Sequence, residues 1–264
     1  MIVFAKRSGE SLNAHAPKGK PYSAVDINAT VADVAAFYQY ITAENPQGIR
    51  GAALVMGAGN LAMRGENLVE YGLDKDTADI IGMGATMQNA FVVHRALSRT
   101  QNPKVKSRLF VPETVDHRSD SMDERDKPEW GTPGRLQMAF DDQELAVFGY
   151  GSDRKGQTTD AAVLDHAIAY HWETGEEVTV LKGTKHCVHD ANPTENPNAR
   201  PLAIVSADRM QQERWTVVDD TCLELVQEHG ITVRVHTLEV PLVEAVGGSV
   251  GTLIVPQSGV LQYA

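Results

Sequence analysis

The chain has 264 residues, 42% of them hydrophobic and 22% charged, and its 24 basic against 35 acidic side chains give a net charge of −11. This composition is typical of a globular protein, and no stretch approaches the roughly 20 apolar residues that cross a membrane. The acidic balance disfavours nucleic-acid binding, because phosphate backbones are gripped by many Lys and Arg side chains. The net charge does not exclude small anionic substrates, since a few local groups can bind them.

The start of the chain and its cysteines indicate a cytoplasmic location. Residues 1–7 place apolar residues before charged ones and lack the long apolar core of a secretory signal. Two cysteines, Cys187 and Cys222, are too few for a disulfide framework and are typical of reduced thiols. At this length we expect one large α/β domain or two intimate lobes.

Short apolar runs typical of buried strands alternate with segments whose apolar residues recur at helical spacing. The predicted strands are residues 2–6, 52–56, 105–111, 145–148, 178–181 and 231–235, and the predicted helices are residues 26–43, 77–97, 158–170 and 219–229. This alternation predicts a three-layer α/β/α sandwich around a central, mainly parallel sheet. Ligands of such sheets bind beyond the carboxyl ends of the strands, so the loops after strands are the candidate sites.

One segment breaks this alternation. Residues 116–130 are dense in charge, and Pro128, Gly131, Pro133 and Gly134 punctuate the segment. Its composition favours a solvated, mobile loop between two lobes. A lid over the substrate is the sharper alternative.

Two loops after predicted strands carry groups suited to phosphate. In the first, Lys6 leaves a strand beside the small turn at residues 8–9, where an ammonium and backbone N–H groups can surround an anion. In the second, a glycine-rich turn at residues 57–59 is followed by Arg64, which can clamp a phosphate. Neither the P-loop motif G-x-x-x-x-G-K-[ST] nor the dinucleotide-binding motif G-x-G-x-x-G is present. Each loop can therefore also be an ordinary turn without a bound phosphate.

Two further loops repeat this theme. One leads into Thr158, Thr159 and Asp160 at the head of a predicted helix, where capping is a sufficient explanation by itself. The other carries Lys182 and Lys185 at the end of a predicted strand. Four such loops in one parallel sheet favour an anion site more strongly than any one of them.

In this order the motifs resemble the amino-acid kinase superfamily, and within it the bacterial-type uridylate kinases. The matched stretches, each with the family's motif, are 6–12 (K-L-S-G-E-A-L), 57–65 (G-G-G-N-L-F-R-G), 78–89 (G-D-x-M-G-M-L-A-T-x-x-N), 158–162 (T-T-D-x-A-A), 182–185 (K-A-T-K), 190–197 (D-A-D-P-x-x-N-P) and 248–254 (G-x-x-G-T-L-I). Residues 78–89 are the most family-specific stretch. Residues 57–65 depart from the family's motif, because Ala58 replaces a glycine and one extra residue precedes Arg64. The match covers nearly the whole chain.

The resemblance implies an ATP-dependent kinase that phosphorylates UMP to UDP, with Mg²⁺ bound mainly through the nucleotide phosphates. It implies a single amino-acid kinase-like domain, residues 1–264, in which residues 1–150 bind the acceptor and residues 151–264 bind ATP. It also implies a homohexamer. Lys6 and Lys185 would stabilise charge on the transferred group and Asp160 would orient them, so that catalysis depends mainly on positioning and electrostatics.

The other residues carried over from the family form two sets. The acceptor set is Gly57, Ala58, Gly59, Arg64, Asp79, Thr158 and Thr159. Within it, Arg64 would hold the acceptor phosphate and Asp79 the ribose hydroxyls. The ATP set is Lys6, Ser8, Gly9, Lys182, Thr184, Lys185, His189 and Asp190. No protein ligand for a metal is implied.

Two departures from the family pattern leave alternatives open. Residues 154–157 are polar where the family has two aromatic residues that wall the acceptor pocket, and residues 186–190 are shortened, with His189 replacing the aromatic residue beside adenine. The molybdenum storage proteins of the same superfamily also have a G-A-G turn, and the His186-Cys187-x-His189 cluster is compatible with soft-ligand chemistry, although such neighbours are more often incidental. A regulatory member that binds nucleotide without turnover is a third alternative.

Overall fold

The computed structural model describes residues 1–17, 20–45, 47–59, 69, 72, 74–101, 104–111, 129–149 and 158–264, apart from the side chains of residues 76 and 130. The strands are β1 Ile2–Arg7, β2 Gly51–Met56, β3 Ser107–Val111, β4 Glu129–Trp130, β5 Leu145–Phe148, β6 Val178–Thr184, β7 Leu202–Ser206, β8 Val233–Thr237, β9 Thr252–Val255 and β10 Leu261–Tyr263. The α-helices are α1 Ala24–Gln39, α2 Lys75–Leu97, α3 Pro133–Asp141, α4 Thr159–Thr174, α5 Ala207–Glu213, α6 Asp220–His229 and α7 Leu242–Val246.

These strands form one sheet in the order β10-β7-β9-β8-β6-β1-β2-β5-β3-β4. Among the pairs that the structure describes, β8 with β9 and β7 with β10 are antiparallel, and the others are parallel. The predicted α/β fold with a mainly parallel sheet is therefore confirmed. In its centre β6, β1 and β2 run side by side in the same direction, so their carboxyl ends meet at one edge.

Two hydrophobic cores cover the two faces of the sheet. Side chains alternate between faces along a strand, and in β1 Ile2 and Phe4 pack on the side of α3, α4, α5 and α6. Val3 and Ala5 pack on the opposite side, against α1, α2 and α7. The same alternation sends the next two residues of β1, which are both cationic, to opposite faces.

The ends of the predicted helices have the capping groups that the sequence indicates. Thr158 accepts a hydrogen bond from the N–H of Ala161 at 3.2 Å, and Asp219 accepts one from Cys222 at 2.8 Å. Gly230 ends α6 with a φ of +71°, where glycine avoids the strain of a side chain. Helix α1 continues as one π-helical turn, Tyr40–Glu44, before Asn45 ends it. The predicted helix, residues 26–43, includes most of this turn and therefore extends beyond the end of α1 at Gln39.

Helix α3 was not predicted from the sequence. Pro133 and Gly134 are typical of a loop, but Pro133 is the first helical residue, where the missing N–H breaks no hydrogen bond within the helix. Thr132 caps the helix by accepting from the N–H of Arg135 at 3.4 Å. Strand β4 begins at Glu129, inside the charged segment that was predicted to be a loop. Residues 116–128 of that segment lie outside the described residues.

On the α1 face, β1 ends in a buried ion pair. Arg7 is 4% exposed, and its Nη1 lies 2.8 Å from Oδ2 of Asp33 in α1. The other carboxylate oxygen of Asp33 accepts the N–H of Leu242, at the start of α7, at 3.0 Å. Burial lowers the pKa of Arg7, and the charge of Asp33 opposes that shift. One carboxylate thus joins β1, α1 and α7.

We expect Asp33→Asn to lower the free energy of unfolding by about 3–5 kcal/mol, because it leaves a buried guanidinium without its counter-charge. The measurement is urea unfolding followed by circular dichroism. The control is Glu213→Gln, which removes an exposed pair with Arg209 and should cost less than about 1 kcal/mol. Equal losses in the two variants would contradict a stabilising role for the buried pair.

Candidate functional site

Two lysines and one aspartate meet at the carboxyl ends of the central strands. Lys6 of β1 and Lys182 of β6 are partners in the strand register, and Asp160 lies in the first turn of α4. The ammonium nitrogen of Lys6 is 3.0 Å from Oδ1 of Asp160, and that of Lys182 contacts Oδ2. Lys182 also donates to the carbonyl of Val217 at 2.5 Å. We call these three residues the lysine–aspartate cluster.

The cluster is buried and unbalanced in charge. The side chains of Lys6, Asp160 and Lys182 are 11%, 14% and 7% exposed, and two ammonium groups share one carboxylate. Burial alone would raise the pKa of Asp160, but the two lysines outweigh it and hold that pKa below its ordinary value. Burial lowers the pKa of Lys182, the charge of Asp160 opposes that shift, and the like charge of Lys6 adds to it. A bound anion would relieve this excess positive charge.

The glycine-rich turn after β2 lies against this cluster. A Cβ on Gly57 would be 3.4 Å from Cε of Lys6, and the N–H of Gly57 donates to the carbonyl of Arg7 at 2.8 Å. Gly59 has a φ of +57°, and a Cβ there would lie 2.5 Å from the backbone nitrogen of Glu10. A Cβ on Gly9 would lie 2.5 Å from the carbonyl oxygen of Gly57. Only glycines allow these two loops to interlock beside Lys6.

Two helices begin beside Asp160. Thr158 caps α4 and also donates its hydroxyl to Asp219, which caps α6. The partial positive charge of a helix N-terminus favours anions. At α6 the carboxylate of Asp219 already occupies this position, so it is the start of α4 that adds positive potential to the cluster. Thr158 is exposed and Thr159 is half-buried at the start of α4. The capping role of Thr158 is observed, whereas its predicted contact with the acceptor nucleotide stays a prediction.

The structure pairs Asp160 with Lys182, where the resemblance implied Lys185. Strand β6 extends three residues beyond its predicted end, to Thr184, so Lys182 lies within the strand opposite Lys6. Lys185 follows the strand and is exposed. Because the two lysines are three residues apart, an extended chain would direct them to opposite faces.

Three of the eight residues predicted to bind ATP make hydrogen bonds to neighbours two residues away. Ser8 accepts from the N–H of Glu10 at 3.3 Å, and Thr184 donates to the carbonyl of His186 at 2.6 Å. Nδ1 of His189 lies 2.9 Å from the carbonyl oxygen of Cys187.

Asp190 accepts from the backbone N–H of Arg200 at 2.7 Å and from its Nε at 3.0 Å, and the backbone hydrogen bond is the main cause of the lowered pKa of this carboxyl. Arg200 in turn stacks over the ring of Tyr263, 3.8 Å from its centroid.

The predicted acceptor residues are only partly within the described chain. Asp79 is half-buried in the second turn of α2. Arg64 and the polar loop at residues 154–157 lie outside the described residues. Among the residues that are described, no group of three or more His, Cys, Asp or Glu side chains could hold a metal ion. Nor is any helix of that part of the chain long and apolar enough to cross a membrane.

One residue of this site received no role from the sequence. Asn89 of α2 is fully buried, and its Nδ2 donates to the carbonyls of Gly57 at 2.7 Å and Ala58 at 3.2 Å. The only signal in the sequence was its place at the end of the most family-specific stretch, residues 78–89. A single amide in a helix has no periodic pattern that would indicate its partners.

Comparisons with known proteins identify the fold and the family of this chain. The chain is 32% identical to the uridylate kinase of Stutzerimonas stutzeri and 33% identical to that of Ectopseudomonas mendocina, in each case over 206 residues that cover 76% of both proteins. The structure resembles UMP kinase from Bacillus anthracis, with a TM-score of 0.77 and 22% identity over 98% of both chains.

It also resembles UMP kinase from Ureaplasma parvum, with a TM-score of 0.77 and 21% identity over 96% of this chain and 98% of that one. No family model matches the chain. The two structural likenesses establish the fold, and the two sequence relatives establish the family. The chain therefore belongs to the uridylate kinase family of phosphotransferases.

Proposed function

We propose that this protein transfers the γ-phosphoryl group of ATP to UMP, giving UDP and ADP. The observation that carries the proposal is the lysine–aspartate cluster, a buried site with one positive charge in excess beside a glycine-rich turn. Phosphoryl transfer needs such a site, because charge on the transferred group must be stabilised while the protein does little covalent chemistry. The names of the sequence relatives supply the acceptor, UMP.

In the proposed mechanism, Lys6 and Lys182 bind oxygens of the transferred phosphoryl group from two neighbouring strands. Asp160 holds both ammonium groups in place, so little reorganisation is needed as charge moves to the leaving group. The turn at residues 57–59 adds backbone N–H donors, and the start of α4 adds its dipole.

The remaining assignments belong to the same proposal. Gly57, Ala58, Gly59, Arg64, Asp79, Thr158 and Thr159 bind the acceptor, and Ser8, Gly9, Thr184, Lys185, His189 and Asp190 bind ATP. The lobes are residues 1–150 and 151–264, and the assembly is a cytoplasmic homohexamer. Asp160 is already paired with two lysines, so it has little capacity for a cation, and Mg²⁺ would enter with the phosphates of ATP, whose charge it neutralises.

The proposal predicts turnover with UMP. In a coupled assay of ADP release with Mg-ATP, we expect UMP to be a better acceptor than CMP, AMP or GMP. Turnover with none of the four would remove the proposed function. Molybdate or tungstate retained in the purified protein would then favour the storage alternative.

The geometry also predicts which lysines matter. We expect Lys6→Ala and Lys182→Ala each to lower kcat at least about 100-fold, because each removes a charge that stabilises the transition state. Lys185→Ala removes an exposed lysine that follows the same strand. Because Lys185 is assigned to ATP binding and is not paired with Asp160, this variant should lower kcat less than about tenfold and is the matched control. A loss in Lys185→Ala as large as that in Lys182→Ala would show that the wrong lysine has been assigned.

The lowered pKa of Asp160 predicts a pH dependence of stability. Because the pKa is lower in the folded state, Asp160 stabilises the fold above its unfolded-state pKa of about 3.9, and this contribution disappears as pH falls through the folded-state value. We therefore expect Asp160→Asn to be less stable than the wild type at pH 7, with a difference that shrinks below about pH 4. The measurement is urea unfolding of both proteins from pH 7 to below about pH 4. A difference in the free energy of unfolding that does not change with pH would contradict the stabilising role of the charged Asp160.

A further inference from the structure

A chain of three hydrogen-bonded groups lies beneath the glycine-rich turn at residues 57–59. The phenol of Tyr22 donates to Oδ1 of Asn89 at 3.0 Å. Nδ2 of Asn89 donates in turn to the carbonyls of Gly57 and Ala58, at 2.7 and 3.2 Å. The oxygen of this amide thus accepts from a donor and its nitrogen donates to two acceptors, so its orientation is set on both sides.

The two carbonyls determine where the N–H groups of the turn point. A trans peptide is planar, so the carbonyl of one residue and the N–H of the next point in opposite directions. By holding the carbonyls of Gly57 and Ala58, Asn89 turns the N–H groups of Ala58 and Gly59 away from itself. Successive N–H groups aimed to one side form a recess that binds anions.

The surroundings leave Asn89 little freedom. Its side chain is fully buried in α2, and a Cβ on Gly9 would lie 2.6 Å from its Nδ2. Tyr22 is held at the start of α1, where the following residue, Ser23, donates its N–H to the carbonyl of Leu12 at 3.0 Å. Burial raises the pKa of Tyr22 to about 12, so its phenol keeps the donor proton at neutral pH.

We propose that Asn89 is a positioning residue that aims the N–H groups of Ala58 and Gly59 at a phosphoryl oxygen, and that Tyr22 fixes the orientation of its amide. This inference rests on the proposed phosphoryl transfer and adds two residues that act through the turn. Asn89 is fully buried, and in this proposal both side chains act through the turn without contacting the substrate. Their loss therefore changes the rate of the chemical step more than it changes nucleotide affinity.

The test compares variants that differ by few atoms. Asn89→Ala removes both donated hydrogen bonds, and Asn89→Asp, which has nearly the same shape, places an acceptor against two carbonyls. Tyr22→Phe removes only the hydroxyl. Its matched control is Tyr38→Phe, which removes a similar hydrogen bond, from the Tyr38 phenol to the carbonyl of Gln143 at 3.0 Å, at the opposite end of the strands.

In steady-state turnover with Mg-ATP and UMP, we expect both Asn89 variants to lose about 100-fold in kcat, with KM for each nucleotide changed less than about threefold. Tyr22→Phe should lose about fivefold in kcat, the effect expected when the free energy of one hydrogen bond is lost. Tyr38→Phe should keep a kcat within twofold of the wild type. Folded Asn89 variants with kcat retained, or equal losses in Tyr22→Phe and Tyr38→Phe, would overturn the proposal.

A second measurement does not depend on turnover. With ¹⁵N-labelled glycine, the amide resonance of Gly59 is followed while tripolyphosphate is added to the wild type and to Tyr22→Phe, which also covers the case in which the Asn89 variants fail to fold. We expect a saturable shift in the wild type and a weaker or smaller one in Tyr22→Phe. Identical shifts in the two proteins would overturn the positioning role, whereas absence of UMP turnover by a wild type that shows this shift would remove the proposed function alone.

Discussion

The contact on which the rest of this structure depends is the sharing of one buried carboxylate by two ammonium groups. Lys6 and Lys182 are neighbours because β1 and β6 are parallel and in register, and Asp160 reaches both from the first turn of α4. Burying like charges together is unfavourable unless a counter-charge is present, and one carboxylate supplies only half of it. The carboxyl edge of the sheet therefore carries an excess positive charge that a bound anion would neutralise. Phosphoryl transfer requires such a charge next to the transferred group.

The end of β1 is held from both faces. Lys6 is paired with Asp160 on one side of the sheet, and the next residue, Arg7, is paired with Asp33 on the other. The carbonyl of Arg7 also accepts the N–H of Gly57, which ties the glycine-rich turn to the same point. A strand that is fixed by charges on both faces keeps its lysine in place during a reaction whose catalysis depends on positioning.

The sequence was sufficient for the parts of the fold and site that follow from periodicity and from ordered motifs. It predicted the central parallel strands, four of the helices that cover them, and a place for Asp160 beside Lys6. It could not distinguish Lys182 from Lys185, because the end of β6 lies three residues beyond its apolar run and only the register with β1 shows which lysine faces Asp160. Asn89 had no pattern to indicate its partners, since its contacts are made between α2 and a turn that is distant in sequence.

The most direct test of this account is transfer of the radiolabelled γ-phosphate of ATP in the presence of UMP. The lysine–aspartate cluster predicts that the wild type places the label in the β-phosphate of UDP and that Lys182→Ala does so at least about 100-fold more slowly. Label that appears only as inorganic phosphate, or transfer that is unchanged in Lys182→Ala, would contradict the claim that this buried cluster stabilises the transferred phosphoryl group.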